Sequence, residues 1–540
     1  MKRIVIYTFL ISLSTHLSAQ KDLPVDVINV VKDFDAKLAE AEKIKVNPEI
    51  PGADTGKLTY RYDVNPGIQE LKYSAPQIRP IAMKPAEPIP VYPFYLKAGY
   101  GIPRQAYGRL SYNFASDEHT QIGIDFLHHS ANNNNADHQQ QRFFENNLNG
   151  HLLYLTQDGM AIQGNAFLTK NQYYNYGHYI ENPGTLTSPE ILRHRYDIFG
   201  VGAKVFNPKV SANGVNYFAG LDLYNLVDNV KSSEKNANIH LGVTKWIQEQ
   251  HSLSLELGTD LTHFEDPSKS TNLSNFYLLP SVGIHGKSFS LQGGVRITSD
   301  GDQIKVHPAV NLAGSIAGNS LMAIAGADGG LSKNNYKTLS EYNPFISSRI
   351  NLANNEYEHY YAGIKGSASS LEYDARVGYK TNKNLPLFIL NTANFSRFDV
   401  LYRSVNFYHA TASLTLKPSK QFIINATVNQ NVYKNIATEA KAWGLPSLEV
   451  NGSVHYQSLN KKLLLTAESY VADGIPYKTD HNVTGNSKLL MDISLGADYN
   501  ITKNFGIFVQ ANNLANNTWR RWYQYPTFGL NAVGGLTVKF

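Results

Sequence analysis

The side chains best suited to recognising a ligand in this 540-residue chain are clustered near its end: Trp519, Arg520, Arg521, Trp522, Tyr523 and Tyr525. Indoles and phenols beside two guanidinium groups can clamp a sugar ring by stacking, or an anionic group by cation–π and charge-assisted contact. The same composition also describes an aromatic girdle and loop packing at a membrane interface, which is the blander expectation. His128, His129 and His138 flank the run Asn132 to Asn135 and suggest metal ligation, yet neither a fixed ligand spacing nor a carboxylate partner stands out. Glu256, Asp260, Glu468, Asp492 and Asp498 could form an acidic lining facing Arg109 and Lys417, and a solvated interior explains them without a ligand. No Ser, His and acid trio stands apart from the background, so catalysis is not expected and neither metal nor cofactor is called for. Gly99-Tyr100-Gly101 and Gly534-Gly535 lead into no helix that would offer its amino terminus to phosphate; they are bends or close-packing positions.

These residues must be held by strands, because the sequence around them repeats with a period of two. In the final stretch, Phe528, Leu530, Ala532, Gly534, Leu536, Val538 and Phe540 fall on one face, and Gly529, Asn531, Val533, Gly535, Thr537 and Lys539 on the other. Leu253, Leu255, Leu257 and Leu261 oppose Ser254, Glu256, Gly258, Asp260 and Thr262 in the same way. Tyr408 to Lys417, Phe422 to Asn429 and Leu489 to Ile501 keep the rule. Soluble strands average about 5 to 6 residues, whereas these run to about 9 to 15, enough to cross a bilayer at a tilt. Roughly 22 such segments fit between Phe94 and Phe540, at about 20 residues per strand with its connection.

The connections alternate in length. Ser116 to His119, Gln157 to Gly159, Gly286 to Ser288, Pro418 to Lys420 and Thr502 to Asn504 are short. Between them fall Ala131 to Arg142, Tyr176 to Arg193, Leu331 to Arg349, Asn382 to Arg397, Asp473 to Asn486 and Asn513 to Pro526. Short turns on one side and long loops on the other are the asymmetry of a transmembrane β-barrel. Composition agrees: 42% hydrophobic, 11% aromatic, 40 glycines and only 17% charged residues suit a wall with one wet face. With no Cys there is no disulfide or thiolate site, and a net charge of +5 implies no nucleic-acid partner.

Residues 1–19 have the three parts of a secretory signal: Lys2 and Arg3, the apolar run Ile4 to Leu13, and Leu17-Ser18-Ala19 before Gln20. Residues 20–92 are Pro-rich and read as a periplasmic leader or partial lumen occluder, with one helix-like stripe at 25–44. Residues 93–540 are the barrel, which places the protein in the outer membrane of a two-membrane bacterium.

The carboxyl end resembles the close of TonB-dependent receptors. It carries Phe505-Gly506-Ile507-Phe508-Val509-Gln510 running into Asn512-Asn513-Leu514-Ala515-Asn516, then Tyr523-Gln524-Tyr525-Pro526, then a glycine-rich strand ending in Phe540. The resemblance implies a 22-stranded barrel and a role for Phe528, Leu530, Leu536, Val538 and Phe540 as a barrel-assembly signal read by the assembly machinery. It also implies a plug of well over a hundred residues inside the barrel, for which the roughly 70 residues of leader are too few. The expectation is therefore a receptor-like barrel without the ordinary plug, its lumen filled by the leader, by inward-folded loops or by another protein. Two functions follow: passage of a solute across the outer membrane, or a non-transporting membrane-embedded subunit that scaffolds periplasmic or surface partner proteins.

Overall fold

A computed structural model describes residues 92–116, 119–134, 139–185, 187–301, 303–436, 438–458, 460–518 and 520–540. The expected signal at 1–19, the leader up to residue 91 and its helix at 25–44 lie outside the described residues, as do His138 and Trp519.

Every long segment with two-residue alternation forms a strand, and 22 of them make a single antiparallel sheet. They range from 8 residues (Phe505–Asn512) to 17 (Lys269–His285). The sheet closes on itself because the first strand, Phe94–Ile102, pairs both with the second, Gln105–Ser116, and with the last, Asn531–Lys539. Phe540 completes the seam: its N–H donates to the Phe94 carbonyl at 3.1 Å, the Phe94 N–H donates back at 2.9 Å, and the two rings stack 5.1 Å apart.

Side-chain size decides how tightly the seam closes. Gly99 lies opposite Gly535 across it, and Gly101 lies opposite Val533. A Cβ on Gly99 would sit 2.6 Å from the Phe508 ring and 2.8 Å from the Gly534 carbonyl; one on Gly535 would overlap the backbone of Ala98 and Gly99. The glycines read from sequence as close-packing positions therefore hold that role. Phe508, only 5% exposed, covers this groove from inside, and Lys97 lies 4.3 Å above its ring while pairing with Asp498 at 2.7 Å.

Alternate residues of each strand face outward, and the outward set is apolar. Tyr100, Ile102, Phe114, Val509, Leu536 and Phe540 are each more than half exposed, and their counterparts continue around the wall. So continuous an apolar belt on a closed antiparallel sheet has one compatible solvent, the hydrocarbon of a bilayer. No helix among the described residues is long and apolar enough to cross a membrane; the crossing is made by strands. The longest connections keep the expected asymmetry: those before Arg193, Ala353 and Asn531 lie at the end away from Phe540, although two-residue turns such as 103–104 and 267–268 lie there too.

Phe528 departs from its assigned face. Sheet pairing of the last strand begins at Asn531 against Asn512, so the chain before it is free to turn. Phe528 packs edge-on against Phe143, 5.6 Å away, a ring on the inward side of its strand, while Leu530 and Leu536 stay outward.

Gly535→Leu is expected to prevent closure, since overpacking of this kind costs about 1–3 kcal/mol or more where backbone must shift. Gly314→Leu, at a position with open space around it, should be tolerated. The check is the fraction of detergent-refolded protein that runs as a compact, heat-modifiable band.

Candidate functional site

The long loops do not splay away from the barrel; they fold together across its mouth. The hydrophobic cluster they build joins wall residues Tyr196, Ile198, Leu226 and Phe264 to loop residues drawn from distant parts of the sequence. Helix Tyr336–Tyr342 supplies Tyr336 and Leu339, starting from Asn335, whose side chain accepts from the Thr338 N–H in a capping box. The hairpin of Leu385–Asn391 and Arg397–Arg403 supplies Leu387, Phe388, Leu390 and Phe398. Trp443 and Leu445 come from the loop before Leu448–Gln457, and Trp522 and Tyr525 from the loop before the last strand.

The aromatic group at 520–525 is therefore at the centre of a cap. Trp522 and Tyr525 are 6% and 2% exposed. Trp522 meets Phe388 at 5.1 Å and Phe398 at 5.4 Å, and Tyr525 stacks on Phe345 at 3.8 Å. The Tyr525 hydroxyl donates to the Ser396 carbonyl at 2.7 Å, and the Pro526 carbonyl accepts from Gln141 and from Tyr176, both at 2.8 Å. Arg521 donates to the Gly444 carbonyl and to the Tyr342 hydroxyl. Tyr523 stacks on Tyr477 at 3.9 Å, and Arg520 is exposed. The faces of Trp522 and Tyr525 are occupied by protein, which sets them apart from a lipid-facing girdle and from an open clamp alike. The aromatic richness of the segment is plain in the sequence, but nothing there points to its partners, from Tyr477 opposite Tyr523 to Gln141, which lies 385 residues from Pro526.

Polar groups fasten the cap. Glu439 accepts from Trp443 Nε1 at 2.8 Å and from Lys478 at 3.1 Å, and pairs with Arg403 at 3.4 Å, tying three loops to one carboxylate. Burial pushes this carboxyl upward, but the bonds from Trp443 and Lys478 and the two cations outweigh it and hold it below the ordinary glutamate value. Deeper in, His194 has its Nε2 at 3.1 Å from both Ser348 Oγ and Tyr336 Oη, and at 3.4 Å from Asp228 Oδ2. This brings together a serine, a histidine and an acid, but Asp228 and Ser348 share one ring nitrogen while Nδ1 faces the Tyr196 hydroxyl at 3.0 Å. A base-and-orienter relay requires the acid and the nucleophile on opposite ring nitrogens, so the cluster is a fastening of the cap to the wall.

Elsewhere the lumen wall neutralises itself. Asp260 pairs with Lys333 at 2.5 Å, Asp498 with Lys97, Asp328 with Arg296 at 2.9 Å, and Glu356 with both Lys305 and Lys383 at 2.7 Å. Lys417 binds Glu372 at 2.7 Å. Of the acids expected to line it, Asp260 and Asp498 are thus paired, whereas Asp492 accepts from Ser494 at 3.0 Å and the ion pairs among the described residues include neither Glu256 nor Glu468 nor Asp492. His128 and His129 point to opposite sides of the wall, the first to Asn146 at 2.9 Å and the second to Gln105 at 3.0 Å. Among the described residues no group of three or more His, Asp or Glu converges.

Trp522→Ala is expected to cost the cap about 3–5 kcal/mol, the usual loss for a large buried aromatic, while leaving the heat-modifiable barrel intact. Limited proteolysis of the loops in detergent checks it. Acidification should act through Glu439: its native pKa is lowered, so its contribution is complete above about pH 4.5 and is lost as pH falls through the native value. Loop protection measured from pH 7 to pH 3 should decline at the acid end, and less so in Glu439→Gln, which is already weakened at neutral pH.

No protein-family model matches the sequence, and a search of curated proteins finds no match. Solved structures do match in fold. The FrpB iron transporter of Neisseria meningitidis aligns with a TM-score of 0.64 at 9% identity, over 84% of this chain and 82% of its own. The pyoverdine outer membrane receptor FpvA of Pseudomonas aeruginosa aligns at 0.62 and 11% identity, over 84% and 79%. The copper transporter OprC aligns at 0.58 and 11% identity, over 83% and 80%. The closed wall of 22 strands, the outward apolar belt and these alignments agree that the chain has the barrel fold of the TonB-dependent outer-membrane receptors.

Proposed function

We propose that the protein passes a solute across the outer membrane through its barrel, and that the loop cap is the closed state of the mouth. The observation that carries this reading is the pairing of a polar, ion-paired lumen wall with an apolar seal built from separate loops. A wall lined by cross-strand ion pairs is compatible with water and polar solutes, whereas a cap made of loops can open without unfolding a strand. The structural neighbours are described as receptors and transporters, of pyoverdine, iron and copper respectively, and they support passage without naming the solute here. On this reading outer-membrane lipid is the solvent of the outward belt, and the assembly machinery is the transient partner of the final strand through Phe540.

A second reading is favoured by the extent of the aromatic seal: a closed barrel serving as a membrane-embedded subunit for partner proteins. Conductance in planar bilayers separates the two. The wild-type barrel should be closed or nearly so, and the double variant Trp522→Ala, Tyr525→Ala should show large ohmic steps. Silence in both, with partner proteins copurifying from native membranes, would favour the second reading.

A further inference from the structure

Outside the seal, on the loop side, lies a recess of about 620 Å³ between the loops at 175–192, 229–232 and 335–352 and the hairpin ending at Arg403. Arg397 and Arg349 line it with Ser347, Ser348, Asn229 and Asn391. Arg397 is 7% exposed, its Nε is buried with no hydrogen-bond partner, and none of the ion pairs among the described residues includes it. Among the described residues one carboxylate lines the recess, Glu190, and it is taken by Arg193 at 2.5 Å. Asp228, just behind, is committed to the Tyr336 hydroxyl and to the backbone N–H groups of Val230 and Ser232. The recess thus holds a surplus of positive charge with its inner member desolvated.

An uncompensated buried ion costs several kcal/mol, so its retention calls for a compensating charge from elsewhere. The backbone holds the group in place. Phe395 and Ser396 both have left-handed φ, of 53° and 57°, immediately before Arg397, a conformation costly for non-glycine residues and concentrated at ligand clamps. The two arginine segments are also bonded to each other, since the Ser347 N–H donates to the Phe398 carbonyl at 2.8 Å and the Phe398 N–H to the Phe345 carbonyl at 2.9 Å.

We propose that this recess binds an oxyanion, a carboxylate or phosphate group, with Arg397 as the inner cation, Arg349 as the outer one and the neighbouring hydroxyl and amide groups as donors. A guanidinium fork matches either group in geometry and charge. The proposal rests on the solute-passage reading only in treating the loop side as the face that meets the solute, and it adds the chemical class recognised there. The anion belongs either to a free solute or to a phosphorylated lipid of the same membrane.

The test uses the full-length protein in neutral detergent, titrated calorimetrically with inorganic phosphate and with citrate, and separately captured on phosphatidylethanolamine vesicles with and without lipopolysaccharide. Saturable binding is expected, weakened about tenfold or more in Arg397→Gln, partly kept in Arg397→Lys, and unchanged in Lys417→Gln, whose cation lies elsewhere on the wall. If Arg397→Gln fails to give the heat-modifiable band, the exposed Arg349→Gln carries the test, with a smaller loss. Binding of the free anions alone assigns the site to a soluble ligand, and binding of lipopolysaccharide alone to a membrane anion. No saturable binding of either, or equal binding by wild type and both glutamine variants, would overturn the proposal. Anion binding together with silence in bilayers of both the wild type and the Trp522→Ala, Tyr525→Ala variant would retire the passage reading and leave this site standing.

Discussion

Hydrocarbon offers no hydrogen bonds, and each backbone N–H or C=O left bare in it costs several kcal/mol. This constraint governs the molecule more than any contact between side chains. A sheet of 22 strands satisfies it only by pairing its first strand with its last, and everything at that junction serves close approach. The glycines let the backbones meet, Phe508 covers the gap they leave on the wet side, and the stacked rings of Phe94 and Phe540 finish the dry side. Side chains then divide by parity, outward ones for lipid and inward ones for water.

The lumen that closure creates would be a wide aqueous hole, and the chain answers it with its own loops. Their seal resembles the core of a small soluble domain in composition, with tyrosine hydroxyls given carbonyl partners, but it is assembled from segments with no sheet in common. Its fastenings differ in kind from its packing. Glu439 and the His194 cluster supply charge-assisted and buried polar bonds that fix which loop meets which, whereas the rings supply most of the buried area. Arg397 stands apart from both, held at the edge of the seal with its Nε given no hydrogen-bond partner among the described residues.

The fold was legible because a period of two persists wherever a strand has lipid on one side, and because the alternation of short and long connections is independent of side-chain chemistry. Phe528 shows where that legibility stops. Its parity matches Leu530, but the Asn513 amide takes the Phe528 carbonyl and Asn516 takes the Leu530 N–H, so the chain there follows loop bonding and the alternation carries no meaning. The site was less legible still. The segment at 520–525 drew attention for its rings, yet burial depends on Phe345, Phe388 and Phe398, which nothing in the local sequence connects to it. Trp443 and Arg397 gave no signal, being single residues in polar loops whose importance comes from neighbours met only in three dimensions.

The loop that locks the seal, 513–530, runs directly into the closing strand Asn531–Lys539. The bonds there carry one into the other: Asn513 donates its side-chain amide to the Asn517 and Phe528 carbonyls, and Asn516 accepts from the Leu530 N–H, so a shift of the cover reaches the first paired residue of the closing strand.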